Sequence, residues 1–360
     1  MLNYTKVLEE CRRVTPTVLQ TTQHEGAAAR LLWQKLAPEM VPDKQMHWKG
    51  AANTASTLQA YQEPYTVIAV DGSQIYPDRH AGSSWYVINL GSIVLNYGSQ
   101  ISSVVTDSQP TLHTALNDQP ALINARRNVQ ELAYGYELAS AKSGVPAVNT
   151  PKVETPKVLL VDGPLLFWDA ELVDPLTGTL VLDAYLAQLQ RCYEGKILLA
   201  GYTSMPRSRD LITLLLRQED ARQQAATYDQ ITDADIVTSF LPAHACSTLF
   251  TNAVNNYPAA LQIRFLYMYT GHEVVRIEVP AYVAADEQAM AKLLAIIMDQ
   301  VAKGLGYPVC LAEAHEQAVI READRVAFYH MVQEQHRSLG TVSSSFQPSR
   351  KSLSKRSPAV

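Results

Sequence analysis

The stretch Tyr65-Thr66-Val67-Ile68-Ala69-Val70-Asp71-Gly72-Ser73 decides the fold. Its unbroken apolar run reads as a strand buried on both faces, and Asp-Gly is a pair that favours a turn at its end. A second run, Lys157-Val158-Leu159-Leu160-Val161-Asp162-Gly163, has the same form. Either Asp-Gly alone is an ordinary turn. Two of them at the carboxyl ends of buried strands form a candidate site, because open α/β sheets place their ligands there. Two carboxylates held close repel unless a cation or a shared proton compensates, and hard divalent cations prefer oxygen ligands.

Working outward, Ser84–Tyr97 and the run from Ile101 to Thr106 are β-rich and separated by Gly98-Ser99-Gln100, so an antiparallel meander should follow the first strand. A helix should begin near Asn117, with Pro120 in its first turn, and run to about Lys142. Three prolines in 143–156 mark a connector. After the second strand, a helix over about 178–193, a strand at Lys196–Leu199 and a helix over about 207–225 favour a partly parallel sheet. Leu261, Ile263, Phe265, Tyr267 and Tyr269 alternate on one face, and Thr270-Gly271-His272 turns the chain into a return strand, making a hairpin. Ala285–Lys303 is an amphipathic helix, Gly306-Tyr307-Pro308 breaks it, and the run from Val309 to Gln335 reads as one final helix. The first forty residues are helical in two parts interrupted near Pro16, and residues 40–63 are irregular.

The expected architecture is therefore α/β: a mixed β-sheet with flanking helices over 61–338, an N-terminal helical segment over 1–60, and a tail over 339–360. The tail is serine-rich, holds Arg350, Lys351, Lys355 and Arg356 with no acid, and should be disordered. The hydrophobic share of 47% and charged share of 18% over 360 residues allow a sizeable core. The net charge is -5, and residues 1–340 hold 26 basic against 35 acidic side chains, so binding of nucleic acid by bulk charge is excluded. Cys11, Cys192, Cys246 and Cys310 form no framework, which fits a reducing compartment. With no secretory signal and no long apolar span, a soluble cytoplasmic protein without membrane contact is expected.

Two further residues enter. Glu131 lies in the helix over 117–142, four residues after Arg127, where a solvated Arg–Glu pair is the plain alternative. His315 lies in Ala314-His315-Glu316 near the start of the last helix, where a hydrogen-bonded core histidine is the plain alternative. The order strand Asp, meander, helix Glu, strand Asp, final-helix His is informative as a whole. It is the layout of ribonuclease H-like nucleases.

More closely, the chain resembles the NurA family of DNA nucleases. The resemblance rests on Ile68-Ala69-Val70-Asp71-Gly72-Ser73, Arg127-x-x-x-Glu131, Leu159-Leu160-Val161-Asp162-Gly163 and Gly306-Tyr307-Pro308-x-x-Leu311-x-x-Ala314-His315. It covers most of residues 60–330. It implies a ribonuclease H-like fold in which Asp71, Glu131, Asp162 and His315 are the catalytic residues and hold Mn2+ or Mg2+, with two ions expected. It further implies a homodimer working beside a HerA-type hexameric ATPase translocase. One departure is Pro164 after Gly163, where a serine is expected; the carboxylate stays but a hydroxyl contact is lost.

Phosphodiester hydrolysis needs a nucleophilic water, a neutralised non-bridging oxygen and a stabilised leaving oxygen, and a two-metal site supplies all three. Ser73, Arg127 and Tyr267 are candidate substrate contacts, with Arg79, His80 and Arg126 as further cations near the phosphate backbone. Tyr267 would act by stacking on a base. Gly304-x-Gly306 lacks a following Lys-Ser/Thr, so no nucleotide-binding P-loop is present. What the resemblance implies is a metal-dependent DNA nuclease, of 5′–3′ exonuclease and single-strand endonuclease type, in DNA end resection and double-strand break repair. The alternative is a catalytically silent DNA-end-binding or translocase-docking protein of the same fold.

Overall fold

The computed structural model describes residues 2–77, 85–98, 102–114, 119–141, 155–217, 228, 230–252 and 257–338. The tail, Arg79 and His80 lie outside the described residues.

Helix α1 (Tyr4–Leu36) is unbroken, with Pro16 inside it. The expected interruption does not occur: proline removes one bond from a long ladder that is anchored near its carboxyl end by buried Ala29 and Trp33. Two short strands, β1 (Met46–His47) and β2 (Ala55–Thr57), interrupt the stretch read as irregular. The meander follows as β3 (Tyr65–Ile75), β4 (Trp85–Tyr97) and β5 (Ser103–Thr114). β5 runs well past Thr106 because it is an exposed edge strand, where polar residues and Pro110 are tolerated. Helix α2 (Pro120–Ser140), β6 (Lys157–Asp162), a 3-10 turn at Trp168–Leu172, α3 (Pro175–Glu194) and β7 (Leu198–Ser204) come next. After α4 (Asp210–Arg217), α5 (Asp233–Val237), β8 (Ala245–Ser247) and β9 (Phe250–Asn252), the hairpin is β10 (Ile263–Tyr269) and β11 (Val274–Pro280). Helices α6 (Ala281–Ala284), α7 (Glu287–Lys303), α8 (Val309–Ala318) and α9 (Glu322–Ser338) complete the described chain.

The chain divides into two compact units. The first comprises residues 1–61, 163–165 and 201–306; the second comprises 62–162, 166–200 and 307–360. The N-terminal segment thus groups with residues 201–306. In the first unit, β1, β9, β10 and β11 lie side by side, followed by the end of β7, while β8 bridges β2 and β10. The hairpin is largely buried on both faces, rather than on the one face its alternation suggests. Its polar Arg276 and Glu278 are buried as a pair, Nε to Oε1 at 2.8 Å. Trp33, Met46, Trp48, Leu214, Phe250 and Tyr267 centre the core of this unit.

The second unit carries the meander, with β5, β4 and β3 antiparallel and β6 parallel to β3. Helix α2 packs on one face, where Val70, Tyr86, Ile88, Leu90 and Ile123 form a core. Helix α8 packs against β3 and β4. The final helix expected as one piece is two, because Ser73 Oγ and Asn89 Nδ2 both donate to the Ala318 carbonyl, and Val319 turns extended. That carbonyl is therefore already occupied where the ladder would continue. No helix among the described residues is long and apolar enough to cross a membrane.

Candidate active site

The four expected residues all belong to the second unit. β3 does not end at Asp71-Gly72; it pairs with β4 through Ile75, Asp71 opposite Gly91 and Gly72 opposite Leu90. Its parallel partner β6 pairs with it only as far as Val70–Val161 and ends at Asp162. Both aspartates thus stand at the carboxyl end of the parallel pair, where side chains are not claimed by a sheet face.

Glycine serves a different purpose here from turning the chain. A Cβ on Gly72 would sit 2.4 Å from Glu131 Oε1 and 2.7 Å from Arg127 Cγ. Glu131 and Arg127 therefore lie over β3 in the space a side chain would fill. A Cβ on Gly91 would sit 2.2 Å from the Ala318 nitrogen, so α8 lies equally tight on the sheet. Side chains alternate across a strand, so Asp71 and its cross-strand neighbour Gly91 share the face on which α8 packs, while Gly72 opens the α2 face. One glycine on each face lets a helix bring its candidate side chain to the strand.

On the α8 side, His315 Nδ1 is 2.8 Å from Asp71 Oδ2, while Asp71 Oδ1 accepts from the Gly72 amide. The His315 side chain is 59% exposed, so it is not a core histidine. On the α2 side, Arg127 Nε is 3.1 Å from Glu131 Oε1 in an ion pair, and Oε1 is buried without a hydrogen-bond partner. Burial pushes the Glu131 carboxyl up to about 8; Arg127 opposes this, and Asp71, Asp162 and Asp169 add to it. Asp162 is also raised, chiefly by desolvation and by Asp71, against the hydrogen bond from the Tyr307 hydroxyl and the nearby His315. The three carboxylates and the imidazole therefore feel one another, although up to 244 residues separate them.

The candidate contacts divide. Arg127 reaches the site but points inward, donating to the Gly72 carbonyl, Gln74 Oε1 and Asn128 Oδ1. Ser73 is committed to Ala318, and Arg126 donates to the Tyr86 hydroxyl. Tyr267 lies in the first unit, fully buried, bonded to Asp233, so its ring offers no surface for stacking a base. Two site residues were not anticipated as such. Tyr307 carries a signal in Gly306-Tyr307-Pro308, read there only as a helix break. Asp169, raised chiefly by burial and opposed by Arg127, sits in a 3-10 turn with no pattern to mark it.

The donor set of three carboxylates and one imidazole suits a hard divalent cation. Among the described residues no three such groups stand close enough together to hold one ion. Each is instead engaged by a protein partner: Asp71 by His315, Glu131 by Arg127, Asp162 by Tyr307.

The NurA domain family matches residues 65–320. No curated protein matches the chain. Among solved structures, the chain is similar to a crystal structure of NurA at 12% identity, covering 92% of this chain and 98% of that one, with a TM-score of 0.48. A crystal structure of NurA with manganese is similar at 11% identity over 91% and 97%, TM-score 0.47. The Thermus thermophilus RuvC structure is similar at 11% identity over 49% and 88%, TM-score 0.18. The family match spans both Asp-Gly strands, the Arg127–Glu131 helix and the helix bearing His315, and the chain belongs to the NurA family.

Proposed function

We propose that the protein is a metal-dependent deoxyribonuclease, a phosphodiester hydrolase that trims DNA ends during double-strand break repair with 5′–3′ exonuclease and single-strand endonuclease action. The observation that carries this reading is that Asp71 and Asp162 stand at the carboxyl end of one parallel strand pair, with His315 on Asp71 and Glu131 over the adjoining Gly72. Family membership supports it independently. Asp71, Glu131 and Asp162 would hold two manganese or magnesium ions, which supply charge neutralisation at the scissile phosphate. Tyr307 orients Asp162, and Arg127 orients Glu131. His315, exposed and held by Asp71, is placed to serve as a ligand or to give a proton to the leaving oxygen.

The chain carries no ATPase motif and a net charge of -5, so it brings neither a motor nor a broad cationic surface for DNA. Both deficits are met if it works in the cytoplasm as a homodimer fed by a HerA-type translocase. The test is cleavage of single- and double-stranded DNA, labelled separately at each end, with manganese or EDTA, by wild type and Asp71→Ala. Manganese-dependent cleavage lost in EDTA and in the variant supports the reading, and the order of product release assigns polarity. Equal activity in EDTA overturns the metal mechanism. DNA-end binding without cleavage identifies a silent binding protein.

A further inference from the structure

Arg127 is not a loose cation beside Glu131. Its guanidinium is held on one side by β3, through the Gly72 carbonyl and Gln74 Oε1, each at 3.1 Å. Gln74 is itself fixed, donating to the Tyr76 hydroxyl and to Asn124 Oδ1. On the other side Arg127 donates to Asn128 Oδ1 at 3.2 Å, and Asn128 turns its amide nitrogen to Asp169 Oδ2. The Asp169 segment is packed against α3: Phe167, two residues earlier, stacks on Tyr185 with centroids 4.5 Å apart and planes 7° apart.

We infer that Asp169 and Asn128 are positioning residues that aim Arg127, and through it the Glu131 carboxylate, at the metal site. Asp169 fixes which way the Asn128 amide faces; an amide turned the other way would present Nδ2 to the guanidinium and remove the acceptor for Arg127 Nη2. Arg127 so held has its Nε on Glu131 Oε1, the buried oxygen with no other partner. Without the relay, a long side chain with several rotatable bonds would be restrained only from the strand side. The Glu131 carboxylate would then sample orientations away from the one it holds beside Gly72. Residues that orient metal ligands through hydrogen bonds commonly alter metal affinity by about 10–100-fold when removed.

This inference rests on the metal-dependent reading above and deepens it. The test is manganese binding to the whole chain by calorimetric titration without DNA, with melting in EDTA as a control for folding. Asp169→Ala and Asn128→Ala should weaken manganese binding by about 10-fold or more. Asp169→Asn keeps an oxygen acceptor for the Asn128 amide and should stay within about 3-fold of wild type, an expectation that follows from orientation rather than charge. Wild-type affinity in a folded Asn128→Ala or Asp169→Ala overturns the inference. So does an Asp169→Asn variant as weak as Asp169→Ala, since charge would then be the operative property. Failure of the wild type itself to bind manganese overturns the metal reading instead, and the two failures are thereby separate.

Discussion

His315 Nδ1 stands 2.8 Å from Asp71 Oδ2, joining the end of a central strand to a helix 244 residues later. The contact is exposed on the histidine side and partly buried on the aspartate side, at 59% and 21%. An exposed polar contact of this kind contributes little to stability, so the closeness of these groups bears on chemistry more than on folding.

His315→Ala should therefore leave thermal stability nearly intact, within about 0.5 kcal/mol, as is usual for surface positions. Its manganese-dependent cleavage should fall by at least about 100-fold if the imidazole acts as ligand or proton donor. Melting and cleavage of the same preparation check this. A variant that loses stability while retaining activity would restore the structural reading of His315.

Gly72→Ala should damage the site from the opposite face. The new methyl would meet Glu131 Oε1 at 2.4 Å and the Arg127 stem at 2.7 Å. Both side chains are pinned, Arg127 on β3 and on Asn128, so relief requires breaking the ion pair or moving α2. Overpacking of this kind costs about 1–3 kcal/mol. Cleavage should fall in the same variant, whereas intact activity would mean that Glu131 does not need its present position.

The sequence makes the site legible where function and strand burial coincide. Asp71 and Asp162 follow apolar runs, and the meander and α2 follow from local pattern, whereas the parallel pairing of β6 with β3 joins segments far apart in the chain. Asp71-Gly72 misleads because the same dipeptide that favours a turn also suits a strand whose missing Cβ admits a neighbouring helix. Asp169 and Tyr307 stay hidden because their roles depend on side chains brought from elsewhere in the fold, a relation that no periodicity encodes. Tyr267 misleads for the complementary reason: its alternation is real, but both faces of the hairpin are covered and its ring lies in the core.

Glu131 gives a pH test. Its folded carboxyl is raised to about 8 by burial, above its ordinary value of 4.5, so its stabilising effect is complete below the ordinary value and is lost as pH rises through about 8. Over that window the unfolded chain releases the proton that the folded chain retains. In metal-free protein, Glu131→Gln removes this term and should gain stability relative to wild type as pH rises from about 5 to 8. Denaturant unfolding at several pH values in EDTA measures it. A difference that stays constant with pH would show that Glu131 is ionised throughout.

The seat of α8 can be tested at Gly91. A Cβ there would stand 2.2 Å from the Ala318 nitrogen and 2.6 Å from the Ala314 carbonyl oxygen, both backbone atoms that no rotamer change can move. Gly91→Ala should therefore push the carboxyl end of α8 off the sheet. The hydrogen bonds from Ser73 and Asn89 to Ala318 would be lost with it, and His315, three residues earlier, would lose its fixed distance to Asp71. Ser73→Ala is the milder companion, since Asn89 still donates to the same carbonyl at 2.9 Å. It should cost about 1 kcal/mol, the usual value of one such bond. Hydrogen exchange over 309–318 should rise strongly in Gly91→Ala and slightly in Ser73→Ala, and cleavage should fall in the same order. Equal protection and equal activity in Gly91→Ala and wild type would mean that the approach of α8 to β4 does not set the position of His315.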